Sequence, residues 1–295
     1  MTVRVGHIGF LNCYPLYYGL EQRGMVAASG AGEGAGADSR LEADTVLQLI
    51  PGVPTDLNLL LVTGGIDLGP ISSIAYAREY RKLLLSRRLS ISSLGAVDSI
   101  QVVTRAPLAE IRSVALTRQS ATSVVLLKTI LRLRFGLEVA YSDLEGSTEE
   151  ALDTHDAVLL IGDQGLDALY FPQPGTTCHD LGRLWQEWTG LPMVYAVWAA
   201  REDFARGNHA ELLAVEEELV RCMDYGREHR TEVVESAADQ SRLDRTALER
   251  YFEILRYDFA PIYQRGLKRF YELAHEAREL PEVPEFRFID EVVRP

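Results

Sequence analysis

The sequence predicts an α/β protein of two lobes with a ligand cleft between them. Short apolar runs alternate with segments of helical spacing, an order typical of doubly wound architecture with mostly parallel sheets. The length of 295 residues corresponds to two domains of about 150 residues each. In such folds ligands bind beyond the carboxyl ends of the strands, so the turns that follow strands are the candidate site.

Six apolar runs account for the predicted strands. They are rich in β-branched residues, alternate in polarity, or are apolar throughout as expected of a strand buried on both faces. In chain order they are Val3–Ile8, Ile66–Leu68, Ser99–Thr104, Val114–Leu116, Ala157–Ile161 and Met193–Ala200.

Apolar residues at helical spacing predict the helices between and after these strands. Thr55 or Asp56 can cap the helix that continues through Leu61, after the turn residues at 51–54. The other helical segments lie at 71–85, 124–131, 212–223, 248–255 and 263–271. The glycine-rich segment Ser29–Gly36 lacks the Gly-Lys-Ser/Thr ending of a phosphate loop, and we interpret it as a surface loop.

Composition excludes several classes of protein. Hydrophobic residues make up 47% and charged residues 25%, which indicates a folded globular chain. With 43 acidic and 30 basic residues the net charge is −13, so we expect no nucleic-acid partner. The three widely spaced cysteines form neither a disulfide framework nor a zinc motif, which is typical of reduced thiols in the cytoplasm.

No membrane segment or secretory signal is predicted. The longest uncharged run covers residues 5–20 and is broken by Asn12 and Pro15, whereas a transmembrane helix needs about 20 apolar residues. Met1–Ile8 has the pattern of a strand and lacks the basic, apolar and small-residue regions of a signal peptide. We therefore expect a cytoplasmic protein without a membrane partner.

Two turns after strands carry polar residues suited to a ligand. Asn12 follows the first strand, and its amide offers one acceptor and two donors but no base. The alternative role of Asn12 is that of a helix cap or turn residue. Ser72 and Ser73 follow the second strand, where they either cap a helix or hold a carboxylate with hydroxyls and free N–H groups.

Hydroxyl side chains surround a predicted helix start at Thr117–Ser123. Orphan N–H groups and the positive end of the helix dipole make a neutral anion pocket there, although a well-capped helix is the alternative. The candidate binding residues of this turn are Ser120, Ala121, Thr122 and Ser123. Arg118 either adds a cation or points to solvent. Asp163, after the fifth strand, either faces the cleft or caps the next helix.

Other catalytic patterns are not found in the sequence. The six histidines show no metal spacing, and no Gly-x-Ser-x-Gly elbow appears. No Gly-x-Gly-x-x-Gly follows a strand and opens a helix. We therefore predict no metal and no cofactor.

Seven segments, taken in order, form a specific pattern. They are Phe10–Asn12 with Pro15, Pro51–Pro54, Leu68–Ile74, Ala115–Ser123, Leu160–Asp163, Asp180–Gly182, and Trp185–Pro192 running into Ala196–Ala199. Together they resemble the chorismate dehydratase family of the futalosine route to menaquinone, and the resemblance covers about residues 3–201.

The resemblance implies a type II periplasmic-binding-protein-like fold used as a cytoplasmic enzyme. With two crossings expected near residues 97 and 198, the first lobe takes residues 1–97 and 199–295, and the second takes 98–198. The implied reaction removes water from chorismate, a small dicarboxylate, and gives 3-[(1-carboxyvinyl)oxy]benzoate without a cofactor. By the same resemblance Asn12 is the residue closest to the chemistry.

Three other functions are alternatives. The sister enzyme of the route, which forms dihydroxynaphthoate, has a similar fold but carries a histidine where this chain has Gly162–Asp163. A non-catalytic small-carboxylate binding protein that serves a transporter would need export or a lipid anchor. A cytoplasmic sensor would need a helix-turn-helix or basic patch, and neither accompanies the lobes. The oligomeric state is not predicted.

Overall fold

The computed structural model describes residues 1–25, 38–40 and 45–292. The glycine-rich segment Ser29–Gly36, predicted to be a loop, lies outside the described residues. No helix in the described ranges is long and apolar enough to cross a membrane.

The strands and helices of the described residues alternate along most of the chain. The strands are β1 Thr2–His7, β2 Asp38–Arg40, β3 Val46–Pro51, β4 Leu68–Ser72, β5 Leu83–Ser93, β6 Ile100–Thr104, β7 Ser113–Leu116, β8 Ala140–Asp143, β9 Ala157–Ile161, β10 Thr177–Asp180, β11 Met193–Arg201 and β12 Leu255–Arg256. The α-helices are α1 Tyr14–Gln22, α2 Pro54–Thr63, α3 Ser73–Glu79, α4 Ala121–Thr129, α5 Thr148–Thr154, α6 Gly162–Tyr170, α7 Leu181–Thr189, α8 Glu202–Gly207, α9 His209–Glu228, α10 Arg230–Ala238, α11 Arg245–Ile254 and α12 Pro261–Glu276.

Seven strands form the first sheet, in the order β12-β5-β11-β4-β1-β3-β2. In its centre β1 runs parallel to both β3 and β4, with Val5 opposite Leu49 and Leu68. β11 returns antiparallel between β4 and β5. Because β1 and β4 are parallel, their carboxyl ends lie at one edge of the sheet, and this brings the turns that carry Asn12 and Ser72 together.

Five strands form the second sheet, in the order β10-β6-β9-β7-β8. β7 runs parallel to β8 and β9, and β6 runs antiparallel to β9 and β10. The parallel pair β7 and β9 places the turns after Leu116 and Ile161 at one edge. Both sheets are therefore mixed, and the prediction of mostly parallel sheets is wrong, because β5, β6 and β11 pair antiparallel to their neighbours.

The three central strands of the second sheet, β6, β9 and β7, are buried on both faces, which explains why they are apolar at most positions, whereas the edge strands β8 and β10 are exposed or half-buried. All five residues of β9 are buried. Alternate residues of three strands join helix α5 in a separate small core; they are Val103, Ala115, Val158 and Leu160, packed with Ala151 and Leu152. The opposite face joins the main core, which extends through the first sheet and includes the fully buried Trp185 and Trp198.

The helix predicted at 71–85 is shorter than expected. It ends at Glu79, and the chain enters strand β5 at Leu83. Leu83, Leu84 and Leu85 pair with β11 and are at most 3% exposed, and Leu85 also bridges to Phe288, so pairing in the sheet overrides the helical spacing of the apolar residues.

The strand predicted at Ile66–Leu68 is displaced. It begins at Leu68 and continues through Gly69 and Pro70 to Ser72. β1 pairs with β4 only at Leu68, whereas β11 pairs along its whole length, so much of one side of β4 is free and a residue without an N–H is tolerated there.

The two sheets draw on different parts of the chain. The first sheet uses residues within 2–93, 193–201 and 255–256, and the second uses residues within 100–180. The predicted lobe boundaries near residues 97 and 198 stay a prediction.

Candidate active site

A cleft lies where the carboxyl ends of the parallel strands of both sheets face each other. It contains about 550 Å³ of space that no protein atom fills, including its mouth toward solvent. Its polar lining residues are Asn12, Ser72, Ser99, Ser120, Ser123 and Tyr195. Its apolar lining residues are Ile8, Phe10, Pro54, Ile91, Val97, Ile100, Ile161, Gly162, Ala196 and Leu255.

The starts of helices α3 and α4 touch each other beside this cleft. The Ile74 N–H donates to Thr122 Oγ1 at 3.2 Å, and Ser73 Oγ lies 3.2 Å from the same oxygen. Ser73 Oγ also donates to the Val194 carbonyl at 2.8 Å. Because both hydroxyl groups are fully buried and already bonded, Ser73 and Thr122 hold the two helix starts together and do not line the cleft.

Three serine hydroxyls of these turns do line the cleft. Ser72 precedes α3, and its N–H donates to the Asn58 side chain at 2.9 Å. Ser120 caps α4 by accepting the Ser123 N–H at 3.2 Å, and the two hydroxyls lie 2.9 Å apart. The residues that cap α4 are therefore the same residues that were predicted to form the anion pocket.

The first turn of α4 supplies main-chain donors. Its first two N–H groups, those of Ala121 and Thr122, precede the first intrahelical hydrogen bond and have no acceptor among the described residues. The helix dipole adds partial positive charge at the same place. This end of the cleft can therefore bind a carboxylate without a cation.

Asn12 lies in the short 3-10 turn Leu11–Cys13 that follows β1. The N–H of Cys13 donates to the Phe10 carbonyl at 3.0 Å and fixes this turn. The Asn12 Oδ1 atom is buried and has no hydrogen-bond partner among the described residues. A buried acceptor of this kind is costly unless a ligand donates to it, and so it is suited to recognise a ligand hydroxyl or N–H group.

No charged side chain is among the residues that line the cleft in the described part of the chain. Arg118, from the predicted anion turn, pairs instead with Asp143 at 2.9 Å and is 64% exposed. Tyr195 is buried, and desolvation raises the pKa of its phenol. The cleft therefore presents dipoles and hydroxyls to a ligand, rather than ionised groups.

A family model described as menaquinone biosynthesis matches residues 3–276. The chain belongs to the menaquinone biosynthesis family. A chorismate dehydratase of Thermus thermophilus is 34% identical to this family member over 261 residues, which cover 84% of this chain and 91% of the relative.

Solved structures with this fold include proteins outside the menaquinone biosynthesis family. A Candida albicans protein that exhibits the generic periplasmic binding protein fold has a TM-score of 0.71 at 12% identity, covering 96% of this chain and 92% of its own. The periplasmic aliphatic sulphonate binding protein of Escherichia coli has a TM-score of 0.62 at 17% identity, covering 100% and 92%. At these identities the likeness shows the fold alone, and the predicted periplasmic-binding-protein-like fold is confirmed.

In this member of the menaquinone biosynthesis family, Asp163 stands apart from the cleft lining. It lies in the first turn of α6, and the residue as a whole is exposed. Desolvation of the carboxyl raises the Asp163 pKa, while the Leu11 N–H opposes that rise by hydrogen bonding. Asp163 therefore connects α6 to the turn that carries Asn12.

Two polar lining residues were not among the predicted site residues: Ser99 lies just before an antiparallel strand, and Tyr195 lies within one. Ser99 precedes β6, whose Ile100 pairs with Ile161 at the carboxyl end of β9. Tyr195 lies in β11 beside Ala196, which pairs with Ser72 at the carboxyl end of β4. The amino-terminal parts of these strands thus reach the cleft. The prediction considered only turns that follow strands, and so it did not include these two residues.

The described residues gather no group of three or more His, Cys, Asp or Glu side chains that could hold a metal ion. His7 is the histidine closest in sequence to Asn12. Desolvation lowers the His7 pKa to about 4, and its ring packs 3.7 Å from that of Tyr17. This imidazole is part of the packing beneath β1 and does not line the cleft.

Proposed function

We propose that this protein is a cytoplasmic chorismate dehydratase of futalosine-dependent menaquinone biosynthesis. It removes water from chorismate and releases 3-[(1-carboxyvinyl)oxy]benzoate. The observation that carries the proposal is the uncharged cleft in which the α4 helix start and the partnerless Oδ1 of Asn12 face one ligand. The Thermus thermophilus relative named chorismate dehydratase supports the choice of substrate.

The two carboxylates of chorismate suit the hydroxyl and N–H groups of the cleft. Ser120, Ser123 and the first N–H groups of α4 bind one carboxylate. The Ser72 hydroxyl, which makes no hydrogen bond to another described residue, addresses the other. Asp163 contributes to substrate binding only indirectly, through its contact with the turn that contains Leu11 and Asn12.

Asn12 orients the hydroxyl that leaves. When both carboxylates of chorismate are ionised, this hydroxyl is the only hydrogen-bond donor on the substrate. The buried Oδ1 of Asn12 needs a donor, so the two groups are complementary.

The proton is taken by one of the carboxylates of the substrate, because an amide is not a base and no carboxylate or imidazole lines the cleft among the described residues. The ring C–H bond breaks, its electron pair forms the new ring double bond, and the C–O bond breaks. The substrate carboxyl group passes the proton to the departing oxygen, which leaves as water, and the product ring is aromatic. The protein supplies orientation, which can contribute about 7–11 kcal/mol to lowering a barrier.

The same proposal includes two lobes that meet across this cleft. One lobe comprises residues 1–97 and 199–295, and the other comprises residues 98–198. Residues 97 and 98 connect β5 to β6, and their N–H groups donate to the Asp180 carboxylate at 3.1 and 2.7 Å. A ligand that contacts both sheets favours the closed arrangement.

The test is incubation of the purified protein with chorismate, with the aromatic product detected by mass spectrometry and NMR. Asn12→Ala and Asn12→Asp are expected to reduce kcat, while chorismate binding is measured separately by calorimetry. Asn208→Ala is a control, because Asn208 caps a remote helix junction and lies outside the cleft. Chorismate that binds tightly but persists would favour a binding protein, and unchanged kcat in both Asn12 variants would remove the role of Asn12.

A further inference from the structure

Ser99 presents a hydroxyl to the cleft that the proposed function does not use. It lies at the amino end of β6 and is 3% exposed. Its own hydrogen bond, to the Val97 carbonyl, is long at 3.4 Å. Such a weakly bonded hydroxyl can turn toward a ligand at little cost.

Tyr251 places a second hydroxyl behind Ser99. This residue of α11 is fully buried, and its phenol oxygen completes no hydrogen bond with a described residue. Burial raises the Tyr251 pKa and the nearby Ser99 hydroxyl opposes that rise, so the two side chains are neighbours, although they complete no hydrogen bond in this structure. Asp163 and Cys13 also act on this phenol, which puts it close to the turn that carries Asn12.

The departing hydroxyl needs a donor as well as an acceptor. As the C–O bond breaks, negative charge develops on the leaving oxygen, and a neutral donor held at that point stabilises it. The cleft lining offers no ammonium, guanidinium or carboxylic acid among the described residues. The carboxylate-binding hydroxyls Ser120 and Ser123 already bond each other at 2.9 Å.

We propose that the Ser99 hydroxyl, oriented by Tyr251, donates a hydrogen bond to the hydroxyl of the substrate as it leaves. The inference rests on the proposed function and deepens it. When the ligand binds, the Tyr251 O–H, which has no partner in the free cleft among the described residues, donates to Ser99 Oγ, and this directs the Ser99 proton away from Val97 and toward the ligand. Neither residue gives up its proton, because the water is completed by the proton that the substrate carboxylate has removed from the ring.

Ser99→Ala and Tyr251→Phe test the two parts of this pair. Ser99→Ala is expected to lower kcat by about 10- to 100-fold, since a positioned donor to a developing charge is lost. Binding of the dehydrated product is expected to stay within about twofold of wild type, because that product has no hydroxyl to contact Ser99. A merely structural defect would weaken product binding as well.

The double variant tests whether the two residues act as one unit. Tyr251→Phe is expected to lower kcat by about 3- to 10-fold in the wild-type background and to have no further effect in Ser99→Ala. Tyr257→Phe is the matched control, because Tyr257 is also buried with a partnerless phenol but lines a different hollow, beside Arg227 and Arg230. Its kcat is expected to equal that of wild type.

Distinct outcomes overturn the two levels of the proposal. A wild-type protein that does not convert chorismate defeats the proposed function itself. Wild-type turnover that Ser99→Ala leaves intact, or independent effects of Ser99→Ala and Tyr251→Phe, defeats only the role of this pair. If Ser99→Ala does not fold, Ser99→Cys keeps the volume with a weaker donor, and an unchanged kcat in that variant also defeats the inference.

Discussion

The Ile74 N–H donates to Thr122 Oγ1 at 3.2 Å, so one hydrogen bond joins the starts of two helices that follow strands of different sheets. Both partners are fully buried. The separation between the α3 turn and the α4 turn, and with it the span available to a ligand with two carboxylates, depends on this contact.

Replacing Thr122 with valine removes this bond at nearly constant volume. The buried Ile74 N–H then lacks an acceptor, which costs about 1–3 kcal/mol of the free energy of unfolding. Chorismate binding is expected to weaken as well, because Ser72 and Ser120 lose their relative position. Urea unfolding and calorimetry measure the two effects, and Thr122→Ser, which keeps the hydroxyl, serves as control. Wild-type affinity in Thr122→Val would contradict the idea that this contact sets the width of the site.

The partly buried His7 makes the stability of the protein depend on pH. Desolvation lowers its pKa from 6.5 to about 4 in the folded state, so between these values the unfolded chain binds a proton that the folded chain does not. Stability is therefore unaffected above about pH 6.5 and falls as the pH drops toward 4, by roughly 2–3 kcal/mol in total. Urea unfolding at pH 7 and pH 4.5 measures the fall. His7→Phe keeps an aromatic ring against Tyr17 and should show a smaller fall in the free energy of unfolding. An equal fall in the two proteins would refute the attribution of this pH dependence to His7.

Turnover, in contrast, is expected to be nearly independent of pH between about 6 and 9. Tyr195 is the titratable side chain among the described lining residues, and burial raises its pKa above the usual range. The carboxylates of the substrate are ionised throughout this interval. A pH profile of kcat at saturating chorismate is the measurement. A sigmoidal or bell-shaped profile inside the interval would point to a protein acid or base that the proposed mechanism omits.

Gly182 leaves room for the tyrosine that lines the cleft. A Cβ atom on Gly182 would lie 2.4 Å from the Tyr195 hydroxyl and 2.4 Å from the Gly95 carbonyl oxygen. Gly182→Ala is therefore expected to destabilise the protein by about 1–3 kcal/mol and to raise KM, because Tyr195 must shift. Thermal unfolding and steady-state kinetics measure both. Gly207→Ala, where a Cβ meets nothing within 4 Å, should leave KM unchanged, and so an equal KM in Gly182→Ala would show that Tyr195 is not a positioned wall of the site.

Most of the predicted strands are strands in the structure, because their apolar runs are short and buried on both faces. Ala157–Ile161 is a strand with the predicted bounds, and its neighbour at 114–116 is longer by one residue. Leu83–Ser93 shows the opposite case. Its leucines also fit helical spacing, and only their pairing with the distant strand β11 makes this segment a strand.

The candidate site residues that follow parallel strands could be predicted from the sequence. Asn12, Ser72, Ser120 and Ser123 follow such strands, so a rule about carboxyl ends leads to them. Ser99 lies just before β6 and Tyr195 lies near the start of β11, and both of these strands run antiparallel to the strands that end at the cleft. Strand direction depends on how distant segments pair, which no local pattern in this sequence reveals.

An amide after the first strand and hydroxyls at two helix starts can be read from the amino-acid sequence. The folded structure was needed to show that Arg118 and Asp163 do not line the cleft, and to show which of two adjacent serines faces the ligand. Ser73 bonds Thr122 and the Val194 carbonyl in the core, and Ser72 is left to the cleft. Local propensities are identical for two neighbouring serines, whereas the hydrogen-bond partners of Ser73 lie 49 and 121 residues away and come within reach only once the two sheets have assembled.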